Sequence, residues 1–487
     1  MPYRALLLLL LLTGSLPAWA KSAVPHVAID WRPCSAPAFR GWFKEGAVPE
    51  LQCGYVNAPL VRPASARKAR GAASGKKVRI AVTRLPATGV SLGSVVFVPG
   101  GPGMSGIELP VADTQTVNRL RKRYDLIGYD PRGVGQTRPK ITCELSGEAL
   151  FTESEQALRA RVQNCATQMG ADVLKNIGTD NAVDDLEALR AALGDERLTA
   201  VAYSYGTKVA ALYAERYPQN VRALVLDGVV SLAEDDVTQR INQSKTYRTA
   251  FIRFAKDCAA RQTCPFSGSP QVAVAQYQSL LRSLAYRPLF SSTGRFVEPE
   301  DVINVTNTLL LWKEGWDGLA YFLSAVAYRR DVDTVIAAID NALPDDEASA
   351  LTAISCADVA QPGLPLTVSY WHDLQVAQAS GFADYQRMND EISPDVCSLW
   401  PYSGKDVAHI PTSSPALPKL LFVAQTYDAT TPYQNARDMA SWFNSPLITR
   451  RQDGHTLALT GLSECVDAAV VGYLLDPSRA MSDKTCD

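Results

Sequence analysis

Three residue types that can act together as a nucleophilic relay occur in one order along this chain: Ser204, Asp428 and His455. Ser204 lies in Ala202-Tyr203-Ser204-Tyr205-Gly206, between a short apolar run and a helical pattern. A serine on a tight strand-to-helix turn is exposed at the end of a sheet, and the next backbone N–H starts a helix, where an oxyanion can be held. The usual pattern is G-x-S-x-G, and Ala202 replaces its first glycine. A serine before a helix is otherwise most often an N-cap. A serine hydroxyl is a poor nucleophile at neutral pH, so it needs a base, and the base needs a carboxylate to fix its tautomer. Asp428 ends the run Leu420 to Tyr427, and His455 follows the next apolar run as the last of four histidines. Asp453 is a rival acid, but two residues from the histidine it is poorly placed to face the imidazole. Earlier in the chain Pro99-Gly100-Gly101-Pro102-Gly103 follows another apolar run. Such a loop lets the main chain approach a substrate oxygen without a side chain between them. It reads less well as a phosphate cradle, because G-x-x-x-x-G-K-[ST] and G-x-G-x-x-G are absent.

The elements that must hold these residues follow from periodicity. Short apolar runs at 94–98, 124–129, 198–203, 223–230, 420–424 and 447–449 alternate with helical patterns, notably 181–193 and 207–217. Buried strands alternating with amphipathic helices specify an α/β fold, a mostly parallel sheet with helices on both faces. Ahead of them, 55–61 and 78–85 read as a hairpin whose loop carries Arg67, Lys68, Arg70, Lys76 and Lys77, a solvated basic cluster with no function assigned. Between 231 and 418 the strand rhythm stops and helical stretches appear at 248–260, 272–285, 302–312, 319–328 and 332–342, closed by Pro401, Pro411, Pro415 and Pro418. We expect a helical lid over the sheet. The expected organisation is a leader at 1–20, core at 21–230, lid at 231–418 and core again at 419–487. Trp312 and Trp316 fall at i, i+4 inside the lid and read as helix packing rather than site.

The whole chain of 487 residues carries 48 Lys and Arg against 50 Asp and Glu, a formal charge of −2. There is no basic surplus for nucleic acid or anionic lipid. Arg4, the apolar run 5–12 and Ala18-Trp19-Ala20 read as a cleaved export signal, too short and interrupted to anchor the chain in a membrane. A periplasmic or extracellular location is expected. Ten cysteines then suggest five disulfides, and nearest-neighbour pairing gives Cys34 with Cys53, Cys143 with Cys165, Cys258 with Cys264, Cys356 with Cys397 and Cys465 with Cys486. Neither C-x-x-C nor H-x-x-x-H spacing occurs, so no metal or other cofactor is expected.

The motifs together resemble the secreted serine exopeptidases of the proline iminopeptidase and tripeptidyl aminopeptidase group, in the α/β-hydrolase superfamily. The resemblance rests on Pro99 to Gly103, Tyr129-Asp130-Pro131-Arg132-Gly133-Val134-Gly135, Thr179-Asp180-Asn181 with Asp184-Asp185-Leu186-Glu187, Ser204-Tyr205-Gly206-Thr207, Leu226-Asp227-Gly228-Val229, Asp428 with Thr431-Pro432, Gly454-His455-Thr456 and the tail from Cys465 to Cys486. It implies an α/β-hydrolase fold, Ser204 as nucleophile, Asp428 as acid, His455 as base, and the N–H groups of Gly101 and Tyr205 as oxyanion donors. It further implies peptide substrates with a free amino terminus. An acidic side chain would then bind the ammonium, the candidates being Glu108, Glu234, Asp235, Asp236 and Asp358. Two other readings stay open: an esterase on the same triad, and a binding scaffold whose elbow has drifted at Ala202.

Overall fold

The computed structural model describes residues 28–43, 46, 48–61, 75–111, 115–145, 155–260, 264–342, 345–381 and 396–487. The leader and Arg67, Lys68 and Arg70 of the basic cluster lie outside them. A ten-stranded sheet runs in the order β1 (Arg32–Pro33), β2 (Gln52–Pro59), β3 (Lys77–Leu85), β5 (Asp125–Tyr129), β4 (Ser94–Val98), β6 (Leu198–Tyr203), β7 (Val221–Asp227), β10 (Leu421–Tyr427), β11 (Leu447–Asp453), β12 (Lys484–Cys486). Pairing is antiparallel from β1 through β3 to β5 and parallel from β5 to β12.

The central strands are mostly apolar because both faces are covered. On β4, Val96 and Val98 enter one core while Val95 and Phe97 enter the other, and on β6 Ala200 and Ala202 oppose Val201 in the same way. Helices Thr179–Leu193, Tyr205–Arg216 and Tyr433–Trp442 cover the first face, and Gln115–Arg121 and Glu464–Leu475 cover the second. Strands β4, β6, β7, β10 and β11 therefore point the same way. The glycine loop, Ser204, Asp227-Gly228, Asp428 and Gly454-His455 all leave the carboxyl ends of adjacent strands, where open α/β sheets place their sites.

Between β7 and β10 the chain forms a mainly helical insertion. It contains helices Asp236–Cys258, Pro270–Tyr286, Pro299–Leu310, Trp316–Ala327, Val332–Ala342, Asp345–Val359 and Leu366–Ser380, with a small β8 (Leu289–Phe290) and β9 (Phe296–Val297) ribbon. It has its own core, in which Phe251 stacks near Tyr277 at 4.7 Å and Phe254 meets Trp316 edge-on at 5.9 Å. The tryptophan doublet is corrected here. Helix Pro299–Leu310 ends before Trp312, which is extended and bridges Gly454, whereas Trp316 opens the next helix and is buried. The structure joins the cysteines in the five nearest-neighbour pairs. Among the described residues no helix is long and apolar enough to cross a membrane.

Candidate active site

Ser204 sits between β6 and helix Tyr205–Arg216 with φ 52° and ψ −124°, a left-handed conformation that costs a non-glycine residue energy and is kept where a side chain must be aimed. Its N–H donates to the Asp227 carbonyl at 2.9 Å, tying the elbow to the end of β7. Gly206 is required by close approach: a Cβ there would lie 2.6 Å from the carbonyl oxygens of Val98 and Pro99. Ala202 has no such conflict, because its methyl group is fully buried in the sheet core below the turn. Its departure from glycine leaves the elbow geometry intact.

Gly101 lies in the turn after β4 with φ 102°, which glycine alone adopts readily, and a Cβ on it would meet the Gly103 nitrogen at 2.7 Å. Asp130, at the end of β5, anchors the far side of that loop by accepting from Ser105 Oγ at 2.5 Å and the Gly106 N–H at 3.2 Å. Tyr205 begins its helix, so its N–H belongs to the first turn, whose donors lack intrahelical acceptors. The Tyr205 hydroxyl is 2.6 Å from Thr179 Oγ1, and Thr179 donates its N–H to Asp358 Oδ1 at 2.7 Å and its hydroxyl to Asp358 Oδ2.

His455 and Asp428 are in direct contact. Nδ1 lies 2.8 Å from Oδ2 and 3.1 Å from Oδ1, with the two residues only 6% and 5% exposed. Asp428 Oδ1 also accepts from the N–H groups of Thr430 at 2.9 Å and Thr431 at 2.8 Å, and Oδ2 accepts from Thr431 Oγ1 at 2.8 Å. The carboxylate is thus fixed before it meets the ring. Burial alone lowers the imidazole pKa, but Asp428 outweighs it through charge and hydrogen bond, with Asp227 adding to the effect, and the net shift is upward. The ring also lies against Gly228, where a Cβ would come within 2.8 Å of Cε1. Gly228 directly follows the residue whose carbonyl holds Ser204, so the serine and histidine border one stretch of chain. Asp453 faces away, held by Arg253 in a two-point ion pair with Nη2 2.7 Å from Oδ2.

The insertion reaches both partner loops. The His455 N–H donates to the Leu311 carbonyl at 2.7 Å, and Gln243 donates to Thr430 Oγ1 at 2.6 Å. On the same helix, burial pushes the Tyr247 hydroxyl up to about 12.

The five acidic candidates divide sharply. Asp235 is an N-cap, accepting from the Thr238 N–H at 2.8 Å. Asp236 pairs with Arg240 at 3.6 Å. Asp358 is buried behind Tyr205 and pushed up to about 6 by that burial, against Lys208 and the Thr179 donors. For these three the local structure supplies a cap, an ion-pair or a buried hydrogen-bond partner. Glu108 is exposed past the glycine loop. Glu234 alone adjoins the acid loop: Asn242 donates to its Oε1 at 2.7 Å, and Asn435, on the helix after Asp428, donates to Oε2 at 3.3 Å. Residues that sequence reading gave no individual role are Asp227, Thr431, Gln243, Tyr247, Arg253 and the Leu311 carbonyl. Asp227 and Thr431 did stand inside the motifs, and Asp227 carries the same signal as Asp428, an acid ending a strand.

The model of the alpha/beta hydrolase fold family matches residues 93–462. Putative hydrolase YuaR of Escherichia coli K12 is 39% identical over 94% of this chain and 92% of its own. Serine protease Hip1 of Mycobacterium tuberculosis H37Rv is 32% identical over 96% and 93%, and carboxylesterase B of the same strain 31% over 85% and 83%. Tripeptidyl aminopeptidase of Streptomyces coelicolor is 27% identical over 96% and 88%. The chain belongs to the alpha/beta hydrolase fold family.

Proposed function

We propose that this protein is an exported serine peptidase that releases short units, from single residues to tripeptides, from the amino terminus of peptides. The observation that carries the reading is the buried Asp428–His455 contact at 2.8 Å together with a serine held at φ 52° at the carboxyl end of β6 in the same sheet. With Nδ1 occupied by Asp428, Nε2 is the nitrogen left to serve Ser204. Ser204 Oγ attacks the carbonyl while His455 takes its proton, and the oxyanion is received by the N–H groups of Gly101 and Tyr205. His455 returns the proton to the leaving amine. Water then repeats the sequence on the acyl-enzyme and frees Ser204. Glu234 is the group for the substrate ammonium, since it is the candidate carboxylate bonded to the acid-loop side of the site. The names of the relatives Hip1 and tripeptidyl aminopeptidase support peptide over other acyl substrates. Five disulfides and the leader support export.

A carboxylesterase relative of similar identity favours a second reading, ester hydrolysis on the same triad. Chromogenic aminoacyl and tripeptidyl amides, their N-acetylated forms and a short-chain ester separate the two. Release from free-amine amides only, reduced on the order of a millionfold in Ser204→Ala, is the expected result. Fast ester cleavage with indifference to acetylation would assign an esterase. Equal inactivity of both proteins on every substrate would leave a binding scaffold.

A further inference from the structure

Asp227 ends β7 with its side chain wholly buried, and nothing in the reaction above uses it. Its main-chain carbonyl accepts the Ser204 N–H at 2.9 Å. Its Oδ2 accepts the N–H groups of Leu457 and Ala458, both at 2.6 Å, two and three residues past His455. One residue therefore grips the nucleophile's turn with its backbone and the base's loop with its side chain. The other oxygen, Oδ1, has no hydrogen-bond partner among the described residues. A buried carboxylate oxygen left unpaired is costly, and an asparagine could accept the same two N–H bonds without a charge. The carboxylate is explained if its charge is used, and a group able to use it is the imidazole, which lies against the adjacent Gly228 and gains a proton during the reaction.

We propose that Asp227 is a positioning residue that fixes the His455 loop relative to the Ser204 elbow and, when ionised, places a second negative charge near the imidazole. The proposal rests on the reading of Ser204 and His455 as nucleophile and base. The titratable groups coupled to this carboxylate are His455, Asp428 and Tyr203. Burial pushes Asp227 up to about 7, opposed by the Ala458 and Leu457 N–H bonds and by His455. The sign is mutual: an ionised Asp227 favours imidazolium, so His455 is raised by it.

The test follows the rate at which an alkyl fluorophosphonate labels Ser204, as a function of pH, in wild type, Asp227→Asn and Asp227→Ala. This probe reads nucleophile and base whichever acyl substrate is natural. Labelling in Asp227→Ala should fall by about 100-fold through misplacement of the base. Asp227→Asn, which keeps acceptors for Leu457 and Ala458, should recover most of that loss, with the acid limb of its pH profile moved to lower pH. An Asp227→Asn limb coincident with wild type, or an Asp227→Ala protein labelling as fast as wild type, overturns the proposal. Should Asp227→Ala not fold, the Asp227→Asn limb decides. Failure of wild type to label at Ser204 would instead overturn the underlying reading.

Discussion

Asp428 receives four donors from three residues, Thr430, Thr431 and His455, so its oxygens are fully committed. Replacing it with asparagine offers His455 Nδ1 an amide in place of an acceptor and favours the wrong tautomer. Asp428→Asn should lower kcat by roughly 10⁴-fold with KM little changed, as steady-state kinetics would show. The raised imidazole pKa sets the pH dependence. The base must be unprotonated, so kcat/KM should fall as pH drops through a value above the ordinary 6.5. A limb below that value would contradict the contact. The positions of Ser204 and Asp428 were legible because each follows directly on a run that reads as a buried strand, which marks the sheet's carboxyl edge, and His455 follows β11 with only Gly454 between. Among the acidic candidates the sequence could not choose, because a carboxylate that caps a helix, as Asp235 does, looks the same in sequence as one facing a pocket.

At the scale of elements, the insertion holds the loops of Asp428 and His455 directly. Helix Asp236–Cys258 contacts the first through Gln243 and the strand leading to the second through Arg253, whose guanidinium also stacks 3.5 Å over Tyr427. Arg253→Ala should release Asp453 and loosen the strand leading to His455, lowering kcat about tenfold while the melting temperature changes little. A kcat unchanged in steady-state assays would show that the loop holds itself. Sequence reading began this helix at 248, twelve residues late. Its first turns carry Arg240, Asn242 and Gln243 on the side that meets Asp373, Glu234 and Thr430, so the apolar period is interrupted where the helix serves the site. Strands β4, β5 and β6 were read to within a residue because burial on both faces leaves few polar positions to blur their ends, whereas β7, β10 and β11 were missed by two to four residues at an end where polar residues enter the strand.

Over the whole molecule, insertion and sheet are joined by a buried polar cluster, while each of the five disulfides closes within one part or the other. Lys208, on the helix after Ser204, pairs with Asp406 at 2.5 Å, and the Asp406 N–H donates to the Asp358 carbonyl at 3.0 Å. Asp358 is held at about 6 against an ordinary 3.8. Between those values the folded chain keeps a proton that the unfolded chain has lost, so this group's contribution to stability falls as pH rises through that window. Asp358→Asn should therefore gain on wild type between pH 4 and pH 8, by up to about 3 kcal/mol. Calorimetry at the two pH values checks it, and a pH-independent difference would contradict the burial argument. The Cys356–Cys397 bridge closes the end of helix Asp345–Val359 onto residues 396–399. Replacing both cysteines with serine should cost about 2–4 kcal/mol in denaturant unfolding. The break in strand rhythm over 231–418 and the cysteine count allowed a helical insertion and five disulfides to be expected, but tertiary ties such as Lys208 with Asp406 join residues 198 apart and leave no local trace.

The central claim is that the triad cuts peptides near a free amino terminus. It is tested most directly by incubating one unlabelled peptide, in free and N-acetylated forms, with wild type and Ser204→Ala, and following the products by mass spectrometry. The account predicts short amino-terminal fragments and matching shortened remainders from the free peptide alone, with wild type alone. Cleavage of the acetylated peptide at the same rate, cleavage at internal bonds, or equal product from Ser204→Ala would contradict it.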